Sequence, residues 1–410
     1  MPDFTFLHAA DLHLDSPLRG LDAAAPAERI RDASRQALAN LVTLAEERQV
    51  AFVLLAGDLY DGDWKDWRTG QFLAQQLARL TRAGIEVVAI SGNHDAEQVL
   101  TKKLSIPGMM RAARPETRRL RGAPVAVHGQ SFATPAVTDN LALAYPEPVD
   151  GLFNIGLLHT ACGSGEHANY APCSVADLAR RGYDYWALGH VHTRSVLSED
   201  PWVVFPGNIQ GRHVKEEGSK GATLVTVDGR RVLLQHQALD VLRWLRLDVD
   251  ATGAAGTEAA LERVRLALDM AVLQAEERML AVRVTLRGDC PAHADLARSP
   301  DAILQEVRAV AAEVAGPDEL WIEDVRVATR PALDLAALRA QPGAVGALME
   351  ALGQPAPVDA GLQAFVADQL RRAGEALDAD HPARAIQEGR MPEHLVERAR
   401  ALLLAELARR

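Results

Sequence analysis

Short apolar runs recur through the first half of the chain: Phe4 to Ala9, Val50 to Ala56, Ile85 to Ile90, Asn154 to Leu158 and Tyr183 to Leu188. Their continuity, without polar alternation, predicts strands buried on both faces. Helical patterns lie between several of them. The strongest runs from Glu28 to Arg48, with Ile30, Ala33, Ala37, Leu38, Leu41, Leu44 and Ala45 at i, i+3, i+4 spacing; Phe72 to Arg82 is a second. Strands alternating with helices predict βα units and a sheet covered on both faces. From about Ala123 the helices thin out, and strand patterns punctuated by Gly and Pro take over, such as Val203 to Pro206 and Ala222 to Val227. The mixture predicts an α/β (α+β sandwich) fold, with two central β-sheets packed together and flanked by helices.

The pattern changes near Trp244. "WLRLDVDA", "TEAALERVRLALDMAVLQAEE", "RMLAVRVTLRGD", "DAILQEVRAVAAEVAG" and "ELWIEDVRVA" read as strand, helix, strand, helix, strand. This predicts a first domain over residues 1–242, a small βαβαβ domain over 243–331 and a helical region over 332–410. The last helical pattern, Pro392 to Arg410, gathers Leu395, Val396, Ala399, Leu402, Leu403 and Leu407 on one face. Such a helix packs on its own chain or docks a partner.

Length and composition fit this division: 410 residues exceed one ordinary core, and 48% hydrophobic with 24% charged residues is a globular balance. The net charge of -11 has the wrong sign for a chain that coats nucleic acid unaided. Such binding would need a local basic patch, metal ions or a basic partner. Cys162, Cys173 and Cys290 are too few and too scattered for a disulfide framework or a CxxC zinc site, and fit a reducing compartment. The start shows no basic region followed by an apolar one, and no apolar run reaches the roughly 18 residues of a membrane span. A cytoplasmic protein is the expectation.

Each early strand ends in residues suited to metal or phosphate. Asp11-Leu12-His13 follows the first, Gly57-Asp58-Leu59-Tyr60-Asp61 the second, and Gly92-Asn93-His94-Asp95 the third; His159 ends the next, and Gly189-His190-Val191-His192 follows "YDYWAL". In open α/β sheets, sites form beyond the carboxyl ends of strands, so these loops should converge. Taken singly, a DxH pair or a strand-end histidine is ordinary, and Asp58 after Gly57 fits a turn. Turn chemistry does not call for the imidazoles of GNHD and GHVH, and the five features occur in order. Carboxylate, imidazole and amide donors without thiolate suit Mn²⁺, Fe²⁺ or Zn²⁺. So many donors exceed one ion with an open position; they suit two ions about 3.5 to 4 Å apart, the arrangement that activates water and neutralises a phosphate.

The series DLH, GDLYD, GNHD, a lone His and GHVH resembles the calcineurin-like metallophosphoesterase superfamily. "FLHAADLHLDSP", "GNHD" and "PGNIQGRH" resemble its DNA-repair exonuclease branch, the SbcD and Mre type subunits, and within it the bacterial YhaO-like group. The specific resemblance covers about residues 3 to 235. It implies that Asp11, His13 and His192 hold one ion and Asn93, His159 and His190 the other, with Asp58 bridging. It implies that His94 faces the scissile phosphate, that Asp95 orients the His94 ring, and that Asp61 has a secondary role near substrate. Asp15-Ser16-Pro17 stands where the plainer SbcD pattern has Gly two residues beyond the first-metal His, which favours the YhaO-like branch.

The resemblance implies a two-metal-dependent DNA nuclease, with Mn²⁺ favoured over Fe²⁺, Zn²⁺ or Mg²⁺. It implies a coiled-coil ATPase partner of the SbcC or YhaN type, a capping role for the βαβαβ block, partner docking by the C-terminal helices, and a homodimer. Protein phosphatases of the superfamily usually carry an Arg soon after the second motif, and here none comes before Arg68. The basic residues Lys102, Lys103, Arg111, Arg114, Arg118, Arg119 and Arg121 face one acid, Glu116, over the same stretch. They are either a solvated face or contacts for a phosphate backbone. Trp64 and Trp67 could stack on a base or pack in a core or lid. A phosphodiesterase acting on small nucleotides or lipids, and a DNA-sensing scaffold subunit with weak hydrolysis, are the alternatives.

Overall fold

The structure is a computed structural model, and it describes residues 3–16, 18, 32–61, 67–96, 106–163, 170–332, 347, 350, 358–373, 382–392 and 395–396. Lys102, Lys103, Trp64, the first turn of the pattern read from Glu28, and most of the Pro392 to Arg410 pattern lie outside the described residues.

The first half runs β1 (Phe4–Ala9), α1 (Ala33–Glu47), β2 (Phe52–Ala56), α2 (Trp67–Arg82), β3 (Glu86–Ile90) and the single turn α3 (Asn93–Ala96). Next come β4 (Glu116–Arg119), β5 (Val125–Gly129), β6 (Phe153–His159), α4 (Val175–Ala179), β7 (Tyr185–Gly189), β8 (Ser195–Glu199) and β9 (Trp202–Phe205). The hairpin β10 (Gly221–Asp228) and β11 (Arg231–Ala238) completes this part. Helix α2 begins at Trp67, earlier than the apolar pattern from Phe72, and Thr69 and Gly70 are buried along with Leu73, Leu77 and Leu80.

Two sheets result. One has the order β11-β10-β1-β2-β3 and the other β4-β5-β6-β7-β9-β8. In the first, β1, β2 and β3 are parallel, and in the second, β5, β6, β7 and β9 are parallel. Alternation along each strand builds the layers. Phe4, Phe6, Phe52, Leu54, Val88 and Ile90 meet Val125, Val127, Ile155, Leu157, Tyr185 and Val204 in the core between the sheets. Leu7, Ala9, Val53, Leu55 and Val87 face outward onto Leu38, Leu41 and Leu77 of α1 and α2. Trp186, Leu188 and Phe205 pack outward from the second sheet against Leu178 and Tyr145. Gly156 lies opposite Trp186 in the β6–β7 register, and a side chain there would press into the indole, 2.6 Å from Cδ2.

His8 brings a polar ring into the inter-sheet layer. Its Nε2 donates to the Leu188 carbonyl at 3.1 Å, and its Nδ1, 3.0 Å from the Tyr185 hydroxyl, accepts the phenolic proton. One ring thus ties the first sheet to the second in a single neutral tautomer. Burial pushes the imidazole down to about 3, against the smaller pull of the Leu188 carbonyl.

Beyond the hairpin follow β12 (Leu242–Asp250), α5 (Thr257–Leu273), β13 (Met279–Cys290), α6 (His293–Leu296), α7 (Pro300–Val314) and β14 (Leu320–Pro331), with a sheet in the order β12-β13-β14. Helices α8 (Ala360–Ala373) and α9 (Pro382–Gln387) follow. The chain divides into two compact units, Met1–Arg246 with Met270–Arg283 and Ala311–Glu323, and Leu247–Asp269 with Val284–Val310 and Asp324–Arg410. Among the described residues no helix is long and apolar enough to cross a membrane.

Two stability measurements follow from the inter-sheet core and its flank. His8 stays neutral in the fold down to about pH 3 whereas an unfolded histidine takes its proton near the ordinary value of 6.5. Between these limits the unfolded state binds the extra proton, so acid favours unfolding by about tenfold in the folded-to-unfolded ratio per pH unit from this group. His8→Gln should keep both hydrogen bonds and flatten the acid limb of urea midpoint against pH; an unchanged limb would show that His8 does not contribute. Gly156→Ala should destabilise by about 1–3 kcal/mol through overpacking against Trp186, read as a lowered urea midpoint with unchanged slope.

Candidate metal centre

Parallel strands bring their carboxyl ends to one edge of a sheet, and both sheets do so on the same side of the core. The first and second motif loops then run side by side. Asp11 N donates to Gly57 O at 3.0 Å, His13 N to Asp58 O at 3.0 Å, and Leu14 N to Leu59 O at 3.1 Å. The turns are tight enough to force left-handed backbone on Asp11 (φ 53°), His13 (φ 40°), Asp58 (φ 51°) and His190 (φ 105°). Non-glycine residues rarely adopt this region, and such strain gathers at functional sites. Gly92 meets a different demand. A Cβ there would press on the Asp58 carboxylate and come within 2.8 Å of both Asp58 N and His159 Cε1.

The predicted donors converge. Ligand atoms of Asp11, His13 and His192 lie within 4.8 Å of one another, as do those of Asp58, His159 and His190, and those of His13, Asp58 and His94. Asp58 Oδ2 stands 3.4 Å from His159 Nε2 and 3.8 Å from His13 Nε2, while its Oδ1 accepts the His94 backbone N–H at 3.0 Å. His159 donates Nδ1–H to the Ala56 carbonyl at 2.9 Å, which turns Nε2 toward Asn93 Oδ1 at 3.0 Å. His13 Nε2 and His192 Nε2 point at each other across 3.1 Å. Two imidazole nitrogens converging on one point, with an amide oxygen and a shared carboxylate beside them, fit a pair of cations. His192 Nδ1–H donates to Glu216 at 2.7 Å, fixing the tautomer that presents Nε2.

Charge follows from this crowding. Burial alone would raise Asp58, but the His159 charge and hydrogen bond, then His13 and His94, hold it far below the usual carboxylate range. Burial works against protonation of His159, yet Asp58 and then Asp11 push it up to about 9. His13 is lowered by burial, and burial raises Asp11, whose oxygens accept the His190 N–H at 3.0 and 3.1 Å.

The two acids near His94 are placed differently from the sequence expectation. Asp95 is buried and accepts backbone N–H from Leu59 at 3.0 Å, Tyr60 at 3.1 Å and Gly92 at 3.0 Å, so it ties the second and third motif loops together. Burial, then the Asp58 charge, push its carboxyl up to about 7. The carboxylate measured beside the His94 ring is that of Asp61, 3.4 Å from Nδ1. Asp61 also accepts from Ser16 Oγ at 2.6 Å. Ser16 belongs to the Asp-Ser-Pro departure, and its neighbour Asp15 is held by Arg35 in two contacts of 2.6 Å.

The basic segment does not stay together. Met110 N donates to Ala89 O at 2.8 Å, which carries exposed Arg111 and Arg114 past the site end of β3. The chain then turns back. Arg118 Nη1 donates to Gly108 O, and Arg121 N and Gly122 N donate to Glu86 Oε1 at 2.5 and 3.0 Å. Glu86 opens β3 and Asn93 follows its end, so Arg121 lies roughly 20 Å from the donors at about 3.3 Å per residue, whereas the Arg118 guanidinium meets Gly108 O at the level of Ala89. In sequence these basic residues form one segment; the antiparallel β4–β5 pairing turns the chain from Arg118 onward away from Arg111. Trp67 is exposed at the start of α2.

Sequence reading assigned no role to Arg212 or Glu216. Glu216 is buried and, besides His192, accepts from Arg212 N and Asn208 Nδ2, both at 2.8 Å. Both residues follow β9, another parallel strand ending on this edge, and its Gly-Asn-x-Gln-Gly-Arg run is the polar strand-end signal that marked the other loops.

Comparison with known proteins agrees with this geometry. Residues 4–194 match the family Calcineurin-like phosphoesterase, and residues 244–330 match Metallophosphoesterase YhaO, middle domain. The chain is 34% identical over 337 residues to the uncharacterized metallophosphoesterase YhaO of Bacillus subtilis (strain 168), covering 80% of this chain and 82% of that protein. It is 27% identical over 256 residues to the DNA double-strand break repair protein Mre11 of Sulfurisphaera tokodaii, covering 57% of this chain and 62% of that one. It is 26% identical over 289 residues to that of Methanopyrus kandleri, covering 63% of this chain and 62% of that one. With its five strand-end motifs converging on one site, the chain belongs to the YhaO family of calcineurin-like metallophosphoesterases.

Proposed function

We propose that this metallophosphoesterase is a DNA exonuclease acting in DNA repair. The observation that carries the hydrolytic part is Asp58, whose carboxylate is shared between two groups of donors while His94 remains partly open beside it. Two divalent cations, Mn²⁺ favoured over Fe²⁺, Zn²⁺ or Mg²⁺, would supply Lewis acidity toward a phosphate and a water of lowered pKa. Asp11, His13 and His192 would hold one, and Asn93, His159 and His190 the other, with Asp58 between them. His94 would face the phosphate and assist the leaving oxygen, its ring held by Asp61 through Nδ1, while Asp95 keeps the loop in place.

DNA as substrate is supported by the similarity to the Mre11 repair proteins. A net charge of -11 leaves little long-range attraction for a polyanion. The reading therefore extends to a coiled-coil ATPase partner of SbcC or YhaN type, with residues 243–331 as a DNA-selecting cap and 332–410 as its docking region. A homodimer in the reducing cytoplasm completes it. The remote placement of Arg121 favours a second reading, hydrolysis of small nucleotide or lipid diesters.

An end-labelled duplex incubated over an Mn²⁺, Fe²⁺, Zn²⁺ and Mg²⁺ series, alone and with the ATPase, decides between these readings. Shortening from an end that His94→Ala abolishes is the expected result; intact DNA with rapid hydrolysis of a small diester would remove the nuclease assignment. Metal titration separates the roles within "GNHD". Asn93→Ala should weaken one of two metal sites by about tenfold or more. His94→Ala should retain both and lower kcat by about 10²–10⁴-fold. Gly92→Ala should disturb both sites at once by displacing Asp58.

A further inference from the structure

We infer that Arg212 is the substrate-binding cation of this site, a guanidinium held ready for the terminal oxygens of a phosphate group. The inference rests on the phosphoester-hydrolase reading and supplies the group that would hold the substrate rather than the metals.

The backbone at Arg212 is fixed from two sides. Trp244, buried, donates its indole N–H to the Gly211 carbonyl at 3.0 Å, and a Cβ on Gly211 would lie 2.7 Å from Glu216 O and 2.9 Å from Trp244 Cδ1. Arg212 N donates to Glu216 Oε2 at 2.8 Å. The guanidinium is therefore delivered from a rigid base.

Its side-chain contacts are loose. Nη1 is 3.6 Å from Asp61 Oδ1, Nη2 is 3.3 Å from Glu216 Oε1, and Nε is buried without a hydrogen-bond partner. Arg35 is the comparison within the same fold, with Nε and Nη2 each 2.6 Å from the Asp15 carboxylate. The 3.2 Å approach of Arg212 Nη2 to His192 Nδ1 adds no attraction, because that nitrogen already gives its proton to Glu216. Arg35 is a saturated structural ion pair; Arg212 keeps most of its donors uncommitted. The other nearby cation, Lys220, is buried and donates to the His192 carbonyl at 3.1 Å.

Position completes the argument. Asp61 Oδ1 is the common neighbour of His94 Nδ1 at 3.4 Å and Arg212 Nη1 at 3.6 Å. The His94 and Arg212 side chains are 34% and 18% exposed, whereas those of His13, Asp58 and His159 are at most 2% exposed. The open side of the centre thus presents the Arg212 guanidinium among the imidazoles of His94, His192 and His213, the last two 22% and 33% exposed. A guanidinium donates in a planar fork that matches two oxygens of a phosphate, which an ammonium does not reproduce.

The test uses the full chain loaded with Mn²⁺, with inorganic phosphate as the probe and Arg212→Gln and Arg212→Lys as variants. Isothermal titration should show two Mn²⁺ per chain with affinities within about twofold of wild type. Phosphate affinity should fall by about tenfold to a hundredfold in Arg212→Gln, the loss expected for a charged hydrogen-bonding pair, and be partly restored in Arg212→Lys. KM for a small chromogenic diester should rise more than kcat falls. Unchanged phosphate affinity with both metals retained would overturn the inference, as would loss of metal in both variants or a wild-type protein that binds no phosphate. A wild-type protein that binds phosphate through Arg212 and cleaves no phosphoester would instead overturn the hydrolase reading and leave this assignment standing.

Discussion

The Asp58 carboxylate is the point on which the remainder of the centre depends. One oxygen fixes the backbone of the third motif loop through the His94 N–H, and the other faces His13 and His159. A buried carboxylate among histidines is stable only with its charge compensated. The same attraction that holds Asp58 ionised keeps His159 protonated up to about 9 when no cation is bound. Protons and cations would therefore compete for the His159 nitrogen, and binding a cation there would release its proton.

Around that charge the backbone is held in conformations it would not choose. Left-handed φ at Asp11, His13, Asp58 and His190 is opposed by hydrogen bonds between loops, including the three backbone N–H groups that converge on Asp95. The layered core behind them supplies the rigidity. Phenylalanines from β1 and β2 stack between the sheets, Phe6 on Phe52 at 4.7 Å, so the strand ends have little freedom to relax. Strain is then confined to the loop residues whose side chains converge.

Most of this was legible in sequence for a physical reason. Continuous apolar runs marked buried parallel strands, and strand ends are where such folds gather polar residues, so Asp11, Asp58, Asn93, His159 and His190 could be read in order. What one dimension hides is which neighbour a side chain meets. Asp61 lies far from His94 in sequence and beside it in space, while Asp95 is adjacent in sequence and turned to backbone. Arg118, Arg119 and Arg121 were grouped with Arg111 by proximity along the chain, and an antiparallel strand carried them away. Arg212 and Glu216 follow a strand end like the others, but their loop lacks the repeated Asp and His chemistry that drew attention to those.

The tie between His8 and the Tyr185–Leu188 strand bears on how the site is put together. The strand ends of the first sheet carry Asp11, His13, Asp58 and Asn93, and those of the second carry His159, His190 and His192. Neither half holds a complete set. Without the second sheet, the first would present its acids and a histidine lacking their imidazole counterparts. Convergence of the donors is thus tied to closure of the inter-sheet core, where the His8 ring joins the two sheets.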